Sequence, residues 1–408
     1  MIFDKVSMYL EKVRSPVAFF IIFVLAFVAW VRSNPRLFVR GESYLSDWKY
    51  THFLFDYGEG FVKRGFVGSF FSEFSNYTSY SLVNIFSYLV LFIMMFVFCV
   101  LFSKAWVQRK DQFGAFLLMA VAIMSPATIQ HFAFDVGRFD LIIYIIFIIT
   151  LFVISKIANK SAFVTSIFVL SSLFISILIH EAAFFMVAPL IFVFWFFVSS
   201  NFRSSAFQSV VLLLVFVFTY LVSTKGGYNA LPFEEHFNEL KGVYGKRVIE
   251  SSLNVIHSTT VEDNLKRTLM AGLTLKRLIH HLVFLFFMAP LFVFLYCIFY
   301  QIKGYLDFKS KLLLLSAFSP LALYPLGHDH FRWWSLTLTN VFVVLTFIIL
   351  RDRLVSDIVF DFVEKHRRMA VFVIFVGLIS GPIGITGSFD LLGYASKAAS
   401  YIFPGFKY

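Results

Sequence analysis

The sequence predicts an all-α fold: a polytopic transmembrane helix bundle of about eleven spans with two long, partly helical outer loops. Composition carries the first part of that expectation, because 59% of the 408 residues are hydrophobic and only 14% are charged, whereas about a quarter of a soluble chain is charged. Phenylalanine alone supplies 58 residues, more than a soluble core of this size can hide. The apolar residues also fall in runs long enough to cross ~30 Å of hydrocarbon. These observations exclude a soluble enzyme and a nucleic-acid-binding protein, although 35 Lys and Arg stand against 24 Asp and Glu. Cys99 and Cys297 lie inside apolar runs and are too few for a disulfide framework or a CxxC metal site.

The first span is expected at 15–32, behind Lys5, Lys12 and Arg14. Its apolar run continues into Trp30, Val31 and Arg32 without a small-x-small exit, so it reads as a retained span rather than a cleaved signal peptide. Further spans are expected at 81–103, 113–129, 140–155, 162–179, 182–199, 206–223, 281–301, 311–326, 335–350 and 368–385. A cytoplasmic N-terminus places the short basic connectors 104–112, 155–161, 201–204, 301–311 and 351–368 inside, as the positive-inside rule asks of a protein in the bacterial inner membrane. The C-terminus is then periplasmic. No repeat, low-complexity linker or soluble domain interrupts the chain, so residues 1–408 form a single integral membrane domain.

This topology sorts the histidines. Only His366 falls inside, while His52, His131, His180, His236, His257, His280, His281, His328 and His330 fall on the outer side or at its interface. Titratable groups at helix ends near a bilayer are functional candidates, so any chemistry is expected to face outward. The outer loops run over 33–80 and 224–280. In the second, Thr259 and Glu262 have capping-box spacing, and Lys266 and Arg277 share a helical face ahead of His280 and His281. That stretch reads either as an interfacial helix with snorkelling cations or as a lid whose basic face meets an anionic lipid-linked substrate.

Four outer clusters carry candidate chemistry. Asp56, Glu59, Lys63 and Arg64 share thirteen residues with four glycines. Backbone can approach a ligand closely there, and the guanidinium offers phosphate a bidentate fork; a self-neutralising turn is the alternative. Asp135, Arg138 and Asp140 follow His131 in a connector too short to hold solvated charge by accident, although Asp135 and Arg138 could simply pair. His180 and Glu181 occupy a tight turn between apolar runs. An ionised Glu there needs a partner or a raised pKa, and the latter suits a general base. The fourth cluster, His328, Asp329, His330 and Arg332 ahead of Trp333 and Trp334, is denser than an aromatic anchor needs. His328 and His330 with Glu181 leave a divalent cation open, without HExxH or other strict ligand spacing to support one.

A Phe-rich chain of about eleven spans with these outer motifs, GFVKRGFVGS, FDVGRFD, IHEAAFF and GHDHFRWW, resembles the bacterial O-antigen and capsular polysaccharide polymerases, and more broadly the GT-C class of polytopic lipid-linked glycosyltransferases. The likeness spans the whole chain but is architectural; no DxD motif is present, and the C-terminal soluble domain of larger relatives is missing. The resemblance implies a glycan donor on undecaprenyl pyrophosphate, attacked at its anomeric carbon by a hydroxyl of a second lipid-linked unit. It further implies that Arg64, Arg138 and Arg332, assisted by Lys63, stabilise the departing pyrophosphate, and that Glu181, or else Asp135 or Asp329, takes the acceptor proton. Asp47, Asp56 and Glu59 would supply the acids of the first outer loop, and His180, His328 and His330 would contact substrate. Membrane lipids and other polysaccharide-assembly proteins, such as a chain-length regulator, are the implied partners. Two other classes remain: a lipid-linked glycan transporter or flippase, which needs polar or broken-helix sites near the midplane, and a metal-dependent outer-face hydrolase or acyltransferase using His180, Glu181, His328 and His330.

Overall fold

In hydrocarbon every backbone N–H and C=O must be satisfied within the protein, and the apolar runs answer with helices. The computed structural model describes residues 15–75, 77–108, 113–199, 202–257, 265–266, 268, 270, 274–327 and 329–382, and contains no strand among them. Eight helices are long and apolar enough to cross a membrane. They are α1 (Ser15–Ser33), the pair α6 (Phe113–Met124) and α7 (Ile129–Phe134) acting as one, and six more. Those six are α5 (Tyr80–Val107), α8 (Asp140–Ile157), α9 (Ala162–Ile179), α11 (Phe202–Lys225), α14 (Leu275–Ile302) and α16 (His330–Arg351).

The other three expected spans are shorter or broken. Helix α10 (Ala183–Val198) has 16 residues. The run expected at 311–326 divides into α15 (Phe308–Ser316) and a 3₁₀ turn (Ser319–Leu323), because Pro320 has no N–H to continue an α-helical ladder. The last, α18 (Arg367–Ser380), stops at Gly381, whose φ of 74° is left-handed. The basic connector expected at 351–368 is itself helical, as α17 (Arg353–Lys365). Its apolar face packs on α6 so closely that a Cβ on Gly114 would stand 2.0 Å from the Phe360 carbonyl oxygen.

Helices α6 and α16 are apolar almost all round and lie at the centre, buried along most of their length. Between α6 and α7 the chain breaks at Ser125–Thr128 around Pro126, and the freed carbonyls find side-chain donors. Ser335 and Thr339 both donate to the Ala127 oxygen, at 2.8 and 2.7 Å. Thr128 donates to Ala122 and Gln130 to Met124, each at 2.6 Å.

The two long loops are partly helical and form one cap. The first holds α2 (Pro35–Arg40), α3 (Asp47–His52) and α4 (Gly65–Phe74); the second holds α12 (Phe233–Tyr244), a 3₁₀ turn (Gly245–Arg247) and α13 (Glu250–His257). Phe55 and Val62 of the first share a small apolar core with Leu253 and Ile256 of the second. Backbone bonds from Lys63 N to Gly226 O (2.8 Å) and Tyr228 N to Ile256 O (2.9 Å) tie the second loop together and to the first. The expected capping pair Thr259 and Glu262 lies outside the described residues. His280 and His281 belong to the first turns of α14, not to a separate loop helix.

Candidate functional site

At one end of the bundle, where the cap meets the helix ends, a cavity of about 340 Å³ is lined by Lys63 and Arg64, Arg138, His180 and Glu181, and Asp329 and Arg332. All four sequence clusters therefore reach one cavity, with four cations facing two carboxylates. Its other walls are Trp48, Phe185, Leu323, Leu326 and Trp333, with the hydroxyl-bearing Thr219 and Ser223 one turn apart on α11.

Arg64 is placed by backbone constraint. It caps α4 at φ 66°, the one non-glycine residue with positive φ among the described residues, a conformation held only where surroundings over-determine it. They do so here because Gly68 lets α4 lie against the preceding segment; a Cβ there would stand 1.9 Å from the Phe55 oxygen. The side chain then meets Glu181 in a fork, with Nε to Oε2 at 3.0 Å and Nη2 to Oε1 at 2.5 Å. Burial alone would raise the Glu181 carboxyl, but Arg64 and then His180 hold it well below the ordinary carboxylate range. This removes the raised pKa on which the general-base role of Glu181 rested: a carboxylate clamped in a two-bond fork is a weak proton acceptor. Beside it, His180 Nδ1 accepts the Ala182 N–H at 3.1 Å, which assigns the neutral ring's proton to Nε2. Burial, reinforced by Arg64, lowers the His180 pKa to about 3.

Arg332 stands in the first turn of α16 and makes a second fork, to Asp140 at the start of α8. Nε reaches Oδ2 at 2.6 Å, Nη2 bonds Oδ1, and Nη1 reaches Asp329 Oδ2 at 3.2 Å. Asp140, the second acid of FDVGRFD, belongs to the second sequence cluster, which assigns it no role of its own. Arg138 is held more loosely. Its Nη1 is 3.6 Å from Asp329 Oδ2, its Nε is 3.9 Å from Asp135 Oδ1, and its guanidinium lies over the Trp48 ring at 4.8 Å. Burial, then the charge on Arg332, presses its pKa below the ordinary value.

Asp135 lies behind the lining, paired with Lys49 at 3.2 Å. Burial would raise its carboxyl, but Lys49 and Arg138 outweigh that and keep it low, so Asp135 stands ionised behind the lining, beside Arg138. Lys49, buried on α3, carried no signal in a segment of mixed polarity. Of the three expected acids, Asp329 keeps the most exposed side chain, at 28% against 18% for Glu181 and 5% for Asp135, and it is not held in a two-bond fork.

Other expected residues lie elsewhere. Asp56 and Glu59 line a separate cavity of about 160 Å³ with Tyr228, His236 and Glu239, where the Tyr228 hydroxyl donates to Glu59. That cavity is back to back with the first: Val62 and Ile256 face it, whereas Lys63 and Val255 face the other. His330 is buried against Tyr324, ring centroids 4.4 Å apart, and does not line the main cavity. His328 lies outside the described residues. Trp333 is buried and contributes to the cavity wall. Among the described residues no group of three or more His, Cys, Asp or Glu is placed to hold a metal ion. Comparison of the chain with protein-family models, with curated proteins and with solved structures returns no match.

Proposed function

We propose that this protein is a membrane glycosyltransferase that polymerises undecaprenyl-pyrophosphate-linked oligosaccharide repeat units on the periplasmic face of the bacterial inner membrane. The observation that supports this reading is the cavity in which Lys63, Arg64, Arg138 and Arg332 meet Glu181 and Asp329 beside an apolar wall. Such a site suits a substrate with an anionic diphosphate and a greasy tail. In the reaction a hydroxyl of the acceptor glycan attacks the donor's anomeric carbon, the bond from that carbon to the diphosphate oxygen breaks, and the diphosphate leaves with the electron pair. The fixed guanidinium groups oppose the charge growing on that oxygen, and Asp329 takes the hydroxyl proton. On this reading the chain crosses the membrane about eleven times, α10, the α15 segment and α18 completing the count, with the N-terminus cytoplasmic, the C-terminus periplasmic and a chain-length regulator among its partners.

The break between α6 and α7 is the one observation that favours a transporter of lipid-linked glycans, because such proteins bind cargo at interrupted helices. Its carbonyls at Ala122, Met124 and Ala127 are already bonded by side chains, which favours a structural kink. The test is the surface polysaccharide of a strain deleted for this protein and complemented with wild type or Asp329→Asn, run as a length ladder. Collapse to a single repeat, restored by wild type and not by the variant, supports the polymerase; an unchanged ladder on deletion overturns it.

A further inference from the structure

The three cavity arginines are not equivalent. Arg64 and Arg332 each have Nε and one terminal nitrogen committed to a carboxylate in a two-bond fork. Such a fork cannot be re-made to a ligand without stranding a buried acid, Glu181 or Asp140. Arg138 makes no comparable bond: its two carboxylate contacts, at 3.6 and 3.9 Å, exceed hydrogen-bond length, and its buried Nε has no hydrogen-bond partner. It is nonetheless aimed: Gly137 at φ 87° sets the turn that presents it, the Trp48 ring supports one face, and Asp135, anchored by Lys49, stands behind. A guanidinium with open donors on a cavity wall is ready for an oxyanion. Its nearest competitor there is Asp329 Oδ2, which is shared with Arg332.

We propose that Arg138 is the anion-binding residue of this cavity, and that a phosphate of the substrate displaces Asp329 from it, while Arg64 and Arg332 keep their carboxylates and act only as a fixed field. The exchange deepens the function proposed above and rests on it for the identity of the phosphate. It gives binding a consequence, since the arriving phosphate relieves Asp329 of one of its two cations in the same motion. Arg138 is thereby a substrate-binding residue, and Lys49 and Asp135 are positioning residues that act through it.

The experiment is titration of the purified protein in detergent with inorganic pyrophosphate, followed by calorimetry, for wild type, Arg138→Ala, Arg138→Lys, Asp329→Asn and the double variant Arg138→Ala/Asp329→Asn. Removing the guanidinium is expected to weaken binding about 10- to 100-fold, the loss of charged hydrogen bonds. Arg138→Lys, which retains charge and volume, is expected to fall between, because an ammonium cannot fork. Asp329→Asn is expected to tighten binding several-fold, and that gain is expected to vanish when Arg138 is also absent. Wild-type affinity in both Arg138 variants, no binding to the wild type, or a gain from Asp329→Asn that persists without Arg138 would each overturn the proposal. The ladder separates the two claims: a ladder unaffected by deletion with these affinities observed sinks the polymerase and keeps the anion site, whereas ladder collapse with Arg138 indifferent does the reverse.

Discussion

Arg64 and Glu181 are 117 residues apart in the chain and meet in a two-bond fork of 3.0 and 2.5 Å. The contact fastens the first long loop to the turn between α9 and α10, and it exists because Arg64 holds a backbone conformation that side chains rarely adopt. Each partner is mostly buried, at 12% and 18% exposure, so loss of either leaves a largely buried charge unpaired.

Removing both partners should therefore destabilise by less than the sum of removing each. Arg64→Ala and Glu181→Ala are each expected to cost about 3 kcal/mol by leaving a buried charge unpaired. The double variant should fall short of their sum by about 1–3 kcal/mol, as residues in contact do. Thermal unfolding in detergent of the four proteins measures the cycle, and simple additivity would mean that the fork is not a coupled pair.

The Arg332–Asp140 fork is buried more deeply, at 3% and 1% exposure. Asp140→Ala is expected to lower stability by about 3–5 kcal/mol, and Arg332→Lys to lower it too, because a point charge cannot fill both oxygens of the fork. Yield and melting temperature of the purified variants decide this. Wild-type stability in Asp140→Ala would show that Arg332 does not need its carboxylate.

Stability should fall on acidification, beginning above the carboxylate range. Burial holds His180 at about 3 and His236 at about 4, both below the ordinary 6.5, so the unfolded chain binds these protons first. Their neutral-state contribution is present above about pH 6.5 and is lost as pH drops toward 4 and 3. Glu181, held well below 4.5, adds a loss of its own beneath that pH. Melting temperature against pH should accordingly decline from near 6.5 downward, with His180→Gln flattening the upper part of the decline. An identical slope in that variant would refute the assignment.

Gly68 is the hinge on which the placement of Arg64 turns. Gly68→Ala puts a methyl 1.9 Å from a backbone oxygen, and α4 must move away, at a cost of about 1–3 kcal/mol or more. Because α4 begins at Gly65, beside Arg64, the variant should also weaken the Arg64–Glu181 fork. Its melting temperature, compared with that of Gly242→Ala, where a Cβ meets nothing within 4 Å, measures the effect.

The apolar runs themselves announced the helices at 15–32, 81–103, 140–155 and 162–179, and the structure starts and ends these within a few residues of that expectation. Where the structure departs from that reading, at 311–326, or adds to it, at 351–368, the cause is local. Pro320 interrupts one apolar run, and α17 hides an amphipathic face that total hydropathy does not register. The motifs that reach the cavity were visible as charges at span ends, since charge is costly near hydrocarbon and so conspicuous there. The pairing was not: Asp140 stood in a named cluster without a partner, and Lys49 sits in a segment that looks like an ordinary helix start.

The sequence by itself determined that this is a helical protein with enough apolar length to cross a membrane repeatedly, because burying or embedding that much Phe leaves no other solution. It also determined which charged residues stand at the ends of the apolar runs. Only the tertiary structure decided which charges neutralise one another, and hence that Glu181 is a clamp while Arg138 and Asp329 stay loosely held. Pairing is a matter of a few ångströms between residues far apart in the chain, and the packing of the helices sets those distances.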